Sequence, residues 1–217
     1  MNKPALIVLK SLTWLACLYP LAILVYGAVT DPVNGLGPDP TGRIEFSTGN
    51  TALNLLVISL AITPLRKLFP RLSWLIKFRR LLGLFAFFYA SIHLMAYIGL
   101  YANFDPHTML EDIDKRRFIT VGVAAWLLLV PLALTSTSGW IRRLGGKRWE
   151  QLHKLVYIAV CLGILHYWWQ VKPGVIAPIW ITLIMAALFI ARLVIDWWNR
   201  RNKAQADRPR KNATDLA

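Results

Sequence analysis

The sequence predicts an all-α membrane protein, a six-transmembrane-helix bundle with its N and C termini in the cytoplasm. Of the 217 residues, 56% are hydrophobic, a share well above that of soluble proteins. These residues gather into six blocks of about 20, the length that crosses a bilayer as a helix. The formal charge of +14 comes from Lys and Arg between the blocks, which indicates membrane topology rather than nucleic-acid binding.

The six blocks set the predicted domain organisation. The predicted spans are 9–29, 51–69, 81–101, 118–136, 153–171 and 175–198. Residues 1–8 form a cytoplasmic N-terminus, and 9–198 form one six-helix domain. The tail 199–217 is polar and is expected to be cytoplasmic and disordered. The first block is longer than the apolar core of a signal peptide, so it is interpreted as a helix.

The start of the second span is predicted from a polar stretch, STGNTA. Ser47 or Thr48 is expected near the N-cap, with Asn50 or Thr51 as alternatives, because short polar side chains cap helices. The preceding outer segment, 35–50, shows no pattern of ligand residues. It is therefore interpreted as a connection without a site.

The orientation follows from the distribution of basic residues. With both termini on one side, that side holds 20 of the 25 Lys and Arg residues and the other side holds five. Cytoplasmic loops of membrane proteins are enriched in Lys and Arg, so the side with 20 is predicted to be cytoplasmic.

Two histidines, His93 and His166, are predicted to reach the same depth in the outer half of the membrane. His93 lies twelve residues into the third span, and His166 lies thirteen residues after His153, which opens the fifth span. These separations correspond to ~18 Å and ~20 Å along a helix. Neutral imidazoles on two facing helices are natural axial ligands for haem iron.

Small residues precede each histidine on the same helix face, three and seven positions earlier. They are Ala86 and Ala90 on the third span, and Ala159 and Gly163 on the fifth. Such strips leave room for a planar macrocycle between the helices. The alternative is tight helix packing around two hydrogen-bonded core histidines.

Basic residues gather at the cytoplasmic level of His153. They are Arg79, Arg80, Arg142, Arg143, Lys147 and Arg148. Arginine binds phosphate in a bidentate manner, so this end is a candidate site for a phosphate-bearing or quinone-like electron donor. The alternative is the ordinary basic collar of a membrane protein.

Four stretches of the chain resemble one known family. They are GRIEFSTGNTAL, ITPLRK, RRLLGLFAFFYASIHL and ALTSTSGWIRRLGGKRWEQLHKLVYIAVCLGILHYWW. They are similar to the MsrQ (YedZ) family, the haem-binding membrane subunits of bacterial MsrPQ methionine-sulfoxide reductase systems, within the ferric-reductase-like transmembrane family. The resemblance covers all but the first few residues and the tail.

The resemblance implies a cytochrome b of the bacterial inner membrane that binds haem b and FMN. It would take electrons from the quinone pool or a cytoplasmic flavin reductase. It would pass them to an MsrP-like periplasmic molybdopterin reductase, which repairs oxidised envelope proteins. The chain would be an electron-transfer subunit without catalytic residues of its own. The exposed outer loop, 105–117, is the expected docking surface.

Carried over by position, His93 and His166 would be the axial ligands of the haem iron. His153, Arg79 and Arg80 would serve an inner cofactor, FMN or a second haem. The wider family has two histidines on each of two helices. This chain has Arg79 and Arg80 where the inner histidine of the third span would stand, which favours the flavin.

Two other function classes compete with an electron carrier. A direct ferric or cupric reductase would act on a metal ion outside the cell without a protein partner. A non-redox transporter or structural membrane protein would use the histidines for packing or proton relay.

Overall fold

The computed structural model describes residues 3–31, 34–172 and 174–206, and these ranges contain no strand. Of the residues in these ranges, 88% are helical. The α-helices in these ranges are α1 (Lys3–Thr30), α2 (Pro40–Leu68), α3 (Ile76–Ala96), α4 (Pro106–Lys115), α5 (Arg117–Leu134), α6 (Ser138–Leu144), α7 (Gly146–His153), α8 (Leu155–Gln170) and α9 (Ala177–Ala206). A 3₁₀ turn, Pro70–Leu75, leads into α3, and a π-helical turn, Tyr97–Tyr101, follows it.

Six segments of the described chain are long and apolar enough to cross a membrane, which confirms the predicted number of spans. They are Lys3–Thr30, Pro40–Leu68, Pro70–Tyr101, Arg117–Leu134, Gly146–Gln170 and Ala177–Lys203. The chain is therefore a multi-pass membrane protein. Which side the termini face remains a prediction from the Lys and Arg count.

The second helix begins earlier than predicted, and the prediction of a cap at Ser47 or Thr48 is wrong. Asp39 is the N-cap, because its carboxylate accepts a hydrogen bond from the Gly42 amide at 2.8 Å, and Pro40 occupies the first turn. This pair is a favourable helix start, since proline needs no amide partner there. Thr48 lies inside the helix, where its hydroxyl donates to the Ile44 carbonyl at 2.7 Å.

The fifth span is divided at Lys154, just before its longest apolar run. α7 ends at His153 and α8 begins at Leu155. Gly145 links α6 to α7 with a φ of 74°, a left-handed conformation that favours glycine.

α9 runs beyond the predicted end of the sixth span. It continues to Ala206, so the first eight residues of the predicted tail are helical. The rest of that tail, 207–217, lies outside the described residues.

Two apolar clusters hold the bundle together. The larger joins α2, α3, α5, α8 and α9, and its most buried side chains are Leu60, Ala86, Ala159, Val160 and Met185. The smaller joins α1, α2 and α3 through Cys17, Ile62, Phe78, Leu82, Phe85 and Tyr89. α2 packs mainly on α3, and α5 mainly on α8. The cavity described below lies among these four helices.

Large apolar side chains also cover the outside of the bundle. Val29 on α1 is 73% exposed and Leu193 on α9 is 72% exposed. In a bilayer such side chains contact lipid tails, which are as apolar as the bundle interior. The peripheral helices therefore need specific contacts to hold them in place.

Tyr89 supplies such a contact at the Pro20 position of α1. Its hydroxyl donates to the Cys17 carbonyl at 2.7 Å and accepts from the Leu21 amide at 3.1 Å. These two backbone groups are four residues apart and would bond each other in a regular helix. The hydroxyl contacts both groups, and the Tyr89 side chain is completely buried.

We expect Tyr89→Phe to lower the free energy of unfolding by about 1–3 kcal/mol, because it leaves two buried backbone groups without their partner. The measurement is the thermal unfolding midpoint in detergent micelles. Tyr26→Phe is the matched control, since Tyr26 lies on α1, the helix that Tyr89 contacts, and is 70% exposed. Equal midpoints for the two variants would show that the bridge contributes nothing.

Candidate functional site

A cavity of about 260 Å³ lies among α2, α3, α5 and α8, at the end of the bundle where α4 crosses. We call this end the α4 end. The lining is mostly apolar, and both His93 and His166 take part in it. The other polar lining residues are Glu45, Asn50, Tyr97, Tyr101, Arg116, Tyr167 and Gln170.

The two histidines predicted to share a depth face each other across this cavity. Their ring centroids are 5.8 Å apart, and the ring planes are at 84° to each other. His93 comes from α3 and His166 from α8, whereas their polar partners come from two further helices. Four helices thus converge on one pair of imidazoles.

Each imidazole uses Nδ1 for a contact at the cavity wall. Nδ1 of His93 lies 2.8 Å from the Glu45 carboxylate and 3.0 Å from the Glu45 carbonyl. Nδ1 of His166 lies 2.7 Å from the carbonyl of Phe118 on α5. An acceptor at Nδ1 places the proton there and leaves the lone pair on Nε2. Among the described residues, neither Nε2 has a hydrogen-bond partner.

Two glycines allow neighbouring helices to approach the rings. A Cβ at Gly49 on α2 would lie 2.9 Å from Cε1 of His93. A Cβ at Gly122 on α5 would lie 2.7 Å from Nδ1 of His166. Both distances are too short for a side chain, so each ring rests against bare backbone. The sequence reasoning missed both residues, although an isolated glycine in an apolar helix often marks close packing.

The strips of small residues lie where the sequence predicted. All four of them line the cavity beside the histidines: Ala86, Ala90, Ala159 and Gly163. Ala86 and Ala159 are almost fully buried, at 1% and 2% exposure. The space between α3 and α8 therefore exists because these positions carry little or no side chain.

Glu45 is the residue that the sequence reasoning overlooked, because the segment 35–50 was interpreted as having no ligand pattern. The structure shows that this segment nevertheless contributes residues to the cavity lining. The early start of α2 places Glu45 inside the bundle, where it is 6% exposed and contacts His93. One signal was available, since an Asp-Pro pair six residues upstream predicts a helix start.

A polar group lies at the α4 end of the cavity. Asp112 on α4 accepts a hydrogen bond from the Tyr97 hydroxyl at 2.9 Å and pairs with Arg116 at 3.1 Å. Tyr97 and Arg116 also line the cavity. These contacts connect α4 to the π-helical turn and to the start of α5. They hold α4 next to this end of the cavity.

His153 lies at the opposite end of the bundle, away from the histidine pair. Its ring stacks on Trp149 with a centroid separation of 3.9 Å, and its Nδ1 lies 3.1 Å from the Trp149 carbonyl. Its Nε2 is buried and, among the residues placed in the structure, has no hydrogen bond of ordinary geometry, although the backbone of Leu132 lies close to the ring.

The two predicted arginines differ in position. Arg79 is half-buried, contacts the Thr63 hydroxyl at 3.4 Å and acts electrostatically on His153. Arg80 is exposed. A further arginine, Arg192 on α9, enters the same region and donates to the Tyr157 hydroxyl at 2.6 Å. The structure thus brings Arg79 near His153 but turns Arg80 away.

The chain is similar to known proteins along nearly its whole length. A family model described as ferric reductase like transmembrane component matches residues 44–164, which include His93 and His153 and stop short of His166. Three relatives carry the name protein-methionine-sulfoxide reductase heme-binding subunit MsrQ. The protein of Herminiimonas arsenicoxydans is 46% identical over 94% of this chain and 93% of its own length. No solved structure matches the chain.

The other two of these relatives have comparable sequence identity to the chain. The protein of Ralstonia nicotianae is 43% identical over 88% of this chain and 86% of its own length. The protein of Xanthomonas axonopodis pv. citri is 47% identical over 86% of each.

We expect Gly122→Ala to cost about 1–3 kcal/mol of stability, because the added methyl group overpacks the wall behind His166. The measurement is the thermal unfolding midpoint of the purified variant. Gly83→Ala is the control, since its methyl group would meet only the Ser59 hydroxyl at 3.8 Å. That variant should gain up to about 1 kcal/mol from helix propensity. A midpoint for Gly122→Ala at or above that of Gly83→Ala would contradict the close approach.

Proposed function

Since the chain belongs to the ferric-reductase-like transmembrane family and, within it, to the MsrQ subunits, we propose that it is an electron-carrying cytochrome b that holds a haem between His93 and His166. The observation that carries the proposal is the facing pair of imidazoles in an apolar cavity, 5.8 Å apart between ring centroids. Both rings use Nδ1 for their contacts with the cavity wall, and within the described part of the chain Nε2 of each has no hydrogen-bond partner.

The donor set fits haem b. A porphyrin supplies four equatorial nitrogens, so iron needs two axial ligands, and neutral imidazole nitrogen is a common one. The cavity supplies that pair together with an apolar surround. Two axial histidines leave no open position on the iron, which suits electron transfer rather than oxygen chemistry.

The bound haem would supply one-electron redox chemistry, and the residues of the chain would set its conditions. The Phe118 carbonyl and Glu45 orient the two imidazoles. The small residues on α3 and α8 provide the space. The apolar lining excludes water and lowers the local dielectric, which strengthens every charge interaction at the site.

The opposite end of the bundle is the proposed entry point for electrons. His153 and Arg79 would contact an inner cofactor, FMN or a second haem, reduced by the quinone pool or by a cytoplasmic flavin reductase. A half-buried arginine beside a stacked histidine suits a flavin phosphate. Arg80 is exposed and would contribute little.

The α4 end is the proposed exit point. In the orientation that the basic residues predict, it faces the periplasm from the bacterial inner membrane. An MsrP-like molybdopterin reductase would accept the electrons there and use them to repair methionine sulfoxide in envelope proteins. α4 exposes Leu110, which would give such a partner an apolar contact.

The ligand assignment is tested by removing one imidazole at a time. His93→Ala and His166→Ala should each lose the low-spin haem spectrum, because one axial ligand cannot hold the iron in a bis-histidine state. Haem per protein and the reduced-minus-oxidised absorption spectrum are the measurements. His107→Ala is the control, since His107 is exposed on α4 and should retain full haem. Full haem retention in either cavity variant would refute the assignment.

The inner site is tested by replacing two adjacent arginines one at a time. Arg79→Ala should lower FMN retention roughly tenfold or more, a difference of ~1.4 kcal/mol that one charge-assisted hydrogen bond supplies. Arg80→Ala should leave it unchanged, because Arg80 is exposed. The measurement is flavin per protein after purification. Equal flavin content in the two variants would count against Arg79, and two haems without flavin in the unmodified protein would favour a second haem.

A further inference from the structure

Glu45 is a buried acid in an otherwise apolar cavity. Its residue exposure is 6%, and its Oε2 lies 2.8 Å from Nδ1 of His93. Its Oε1 is also buried and has no hydrogen-bond partner within the ranges that the structure describes. Removing a carboxylate from water without compensation costs several kcal/mol. A residue that serves packing alone would not carry such a group.

No basic side chain is paired with Glu45 among the described residues. Its only ion-pair contact there is the His93 ring. Arg116 lines the same cavity but pairs with Asp112 on α4. The negative charge of Glu45 is therefore directed at the histidine and at whatever that histidine binds.

The two imidazoles of the site consequently differ. Nδ1 of each ring lies near a neutral backbone carbonyl, but only Nδ1 of His93 also contacts a carboxylate, and that carboxylate is the nearer of its two acceptors, at 2.8 Å against 3.0 Å. A carboxylate that accepts the Nδ1 proton of a metal-bound histidine fixes the tautomer and makes the ring a more basic ligand. A nearby negative charge also favours the more positive oxidation state of the metal.

We propose that Glu45 is a positioning residue that orients His93 toward the iron and lowers the reduction potential of the haem. The proposal rests on the haem site described above. With haem bound, His93 would be the more electron-rich of its two histidine ligands, because only its ring contacts a carboxylate. The lowering of the reduction potential comes from the charge of Glu45 beside His93. It can therefore be measured at a single pH.

The test is a potentiometric titration of the haem in Glu45→Gln at one fixed pH. The glutamine oxygen still accepts the His93 proton, so the haem should stay bound while the charge is lost. We expect the ratio of reduced to oxidised haem at a given applied potential to rise at least tenfold. For a one-electron couple this is an upward shift of about 59 mV.

Asp39→Asn is the matched control. Asp39 lies on the same helix start and is exposed, and asparagine also caps helices, so only a solvated charge is removed. This variant should keep the potential of the unmodified protein. An unchanged potential in haem-loaded Glu45→Gln, or an equal shift in both variants, would overturn the proposal.

Glu45→Asp covers the case in which Glu45→Gln loses its haem. The shorter carboxylate keeps the charge but lengthens the contact, so the potential should rise less than in the glutamine variant. Loss of haem from both variants in folded protein would assign Glu45 to haem retention alone and overturn the effect on potential. An error in the proposed haem site itself would give a different result. The unmodified protein would then contain no haem, or haem would be retained in the variants that lack His93 or His166.

Discussion

The site depends on one constraint, that an imidazole N–H in an apolar bundle needs an acceptor. A buried polar group without a partner costs free energy, so the partner decides how the ring turns. α3 and α8 carry the histidines, but α2 and α5 carry the acceptors, Glu45 and the Phe118 carbonyl. Gly49 and Gly122 allow those helices to come close enough. Four helices must therefore pack correctly before two nitrogens face the cavity.

This constraint separates what the sequence could predict from what it could not. Helix number, the shared depth of His93 and His166 and the small residues beside them all follow from apolar block length and helical spacing within one segment. Glu45 contacts a histidine 48 residues away, and no spacing rule reaches that far. The start of α2 was missed for a local reason, since the Asp39–Pro40 cap outweighs the polar character of the residues that follow.

The opposite end of the bundle shows the same limit. Arg79 and Arg80 are adjacent in sequence, so they point about 100° apart on a helix and only one can face the interior. Which one does so depends on how α3 packs against α2, where Ser59 donates to the Arg79 carbonyl at 3.0 Å. Arg192 adds a cation from α9 through its bonds to Tyr157 and the Leu60 carbonyl. Composition predicts that this end of the bundle is basic, but not which of its arginines face the interior.

The charged residues at the two ends would have opposite effects: those at the inner end favour accepting an electron, and Glu45 at the α4 end favours releasing one. In the proposed arrangement, arginines beside the inner site would stabilise a reduced, more negative cofactor and help it to accept electrons, whereas Glu45 would disfavour reduction of the haem and help it to release them. Taken alone, this gradient opposes the step from the inner site to the haem. In the proposed orientation the membrane potential acts the other way, since an electron moving outward gains ~2.3 kcal/mol per 100 mV across the full bilayer. In this proposal the membrane potential would offset part of the cost of passing electrons from the inner site to a haem whose reduction potential is lowered by Glu45.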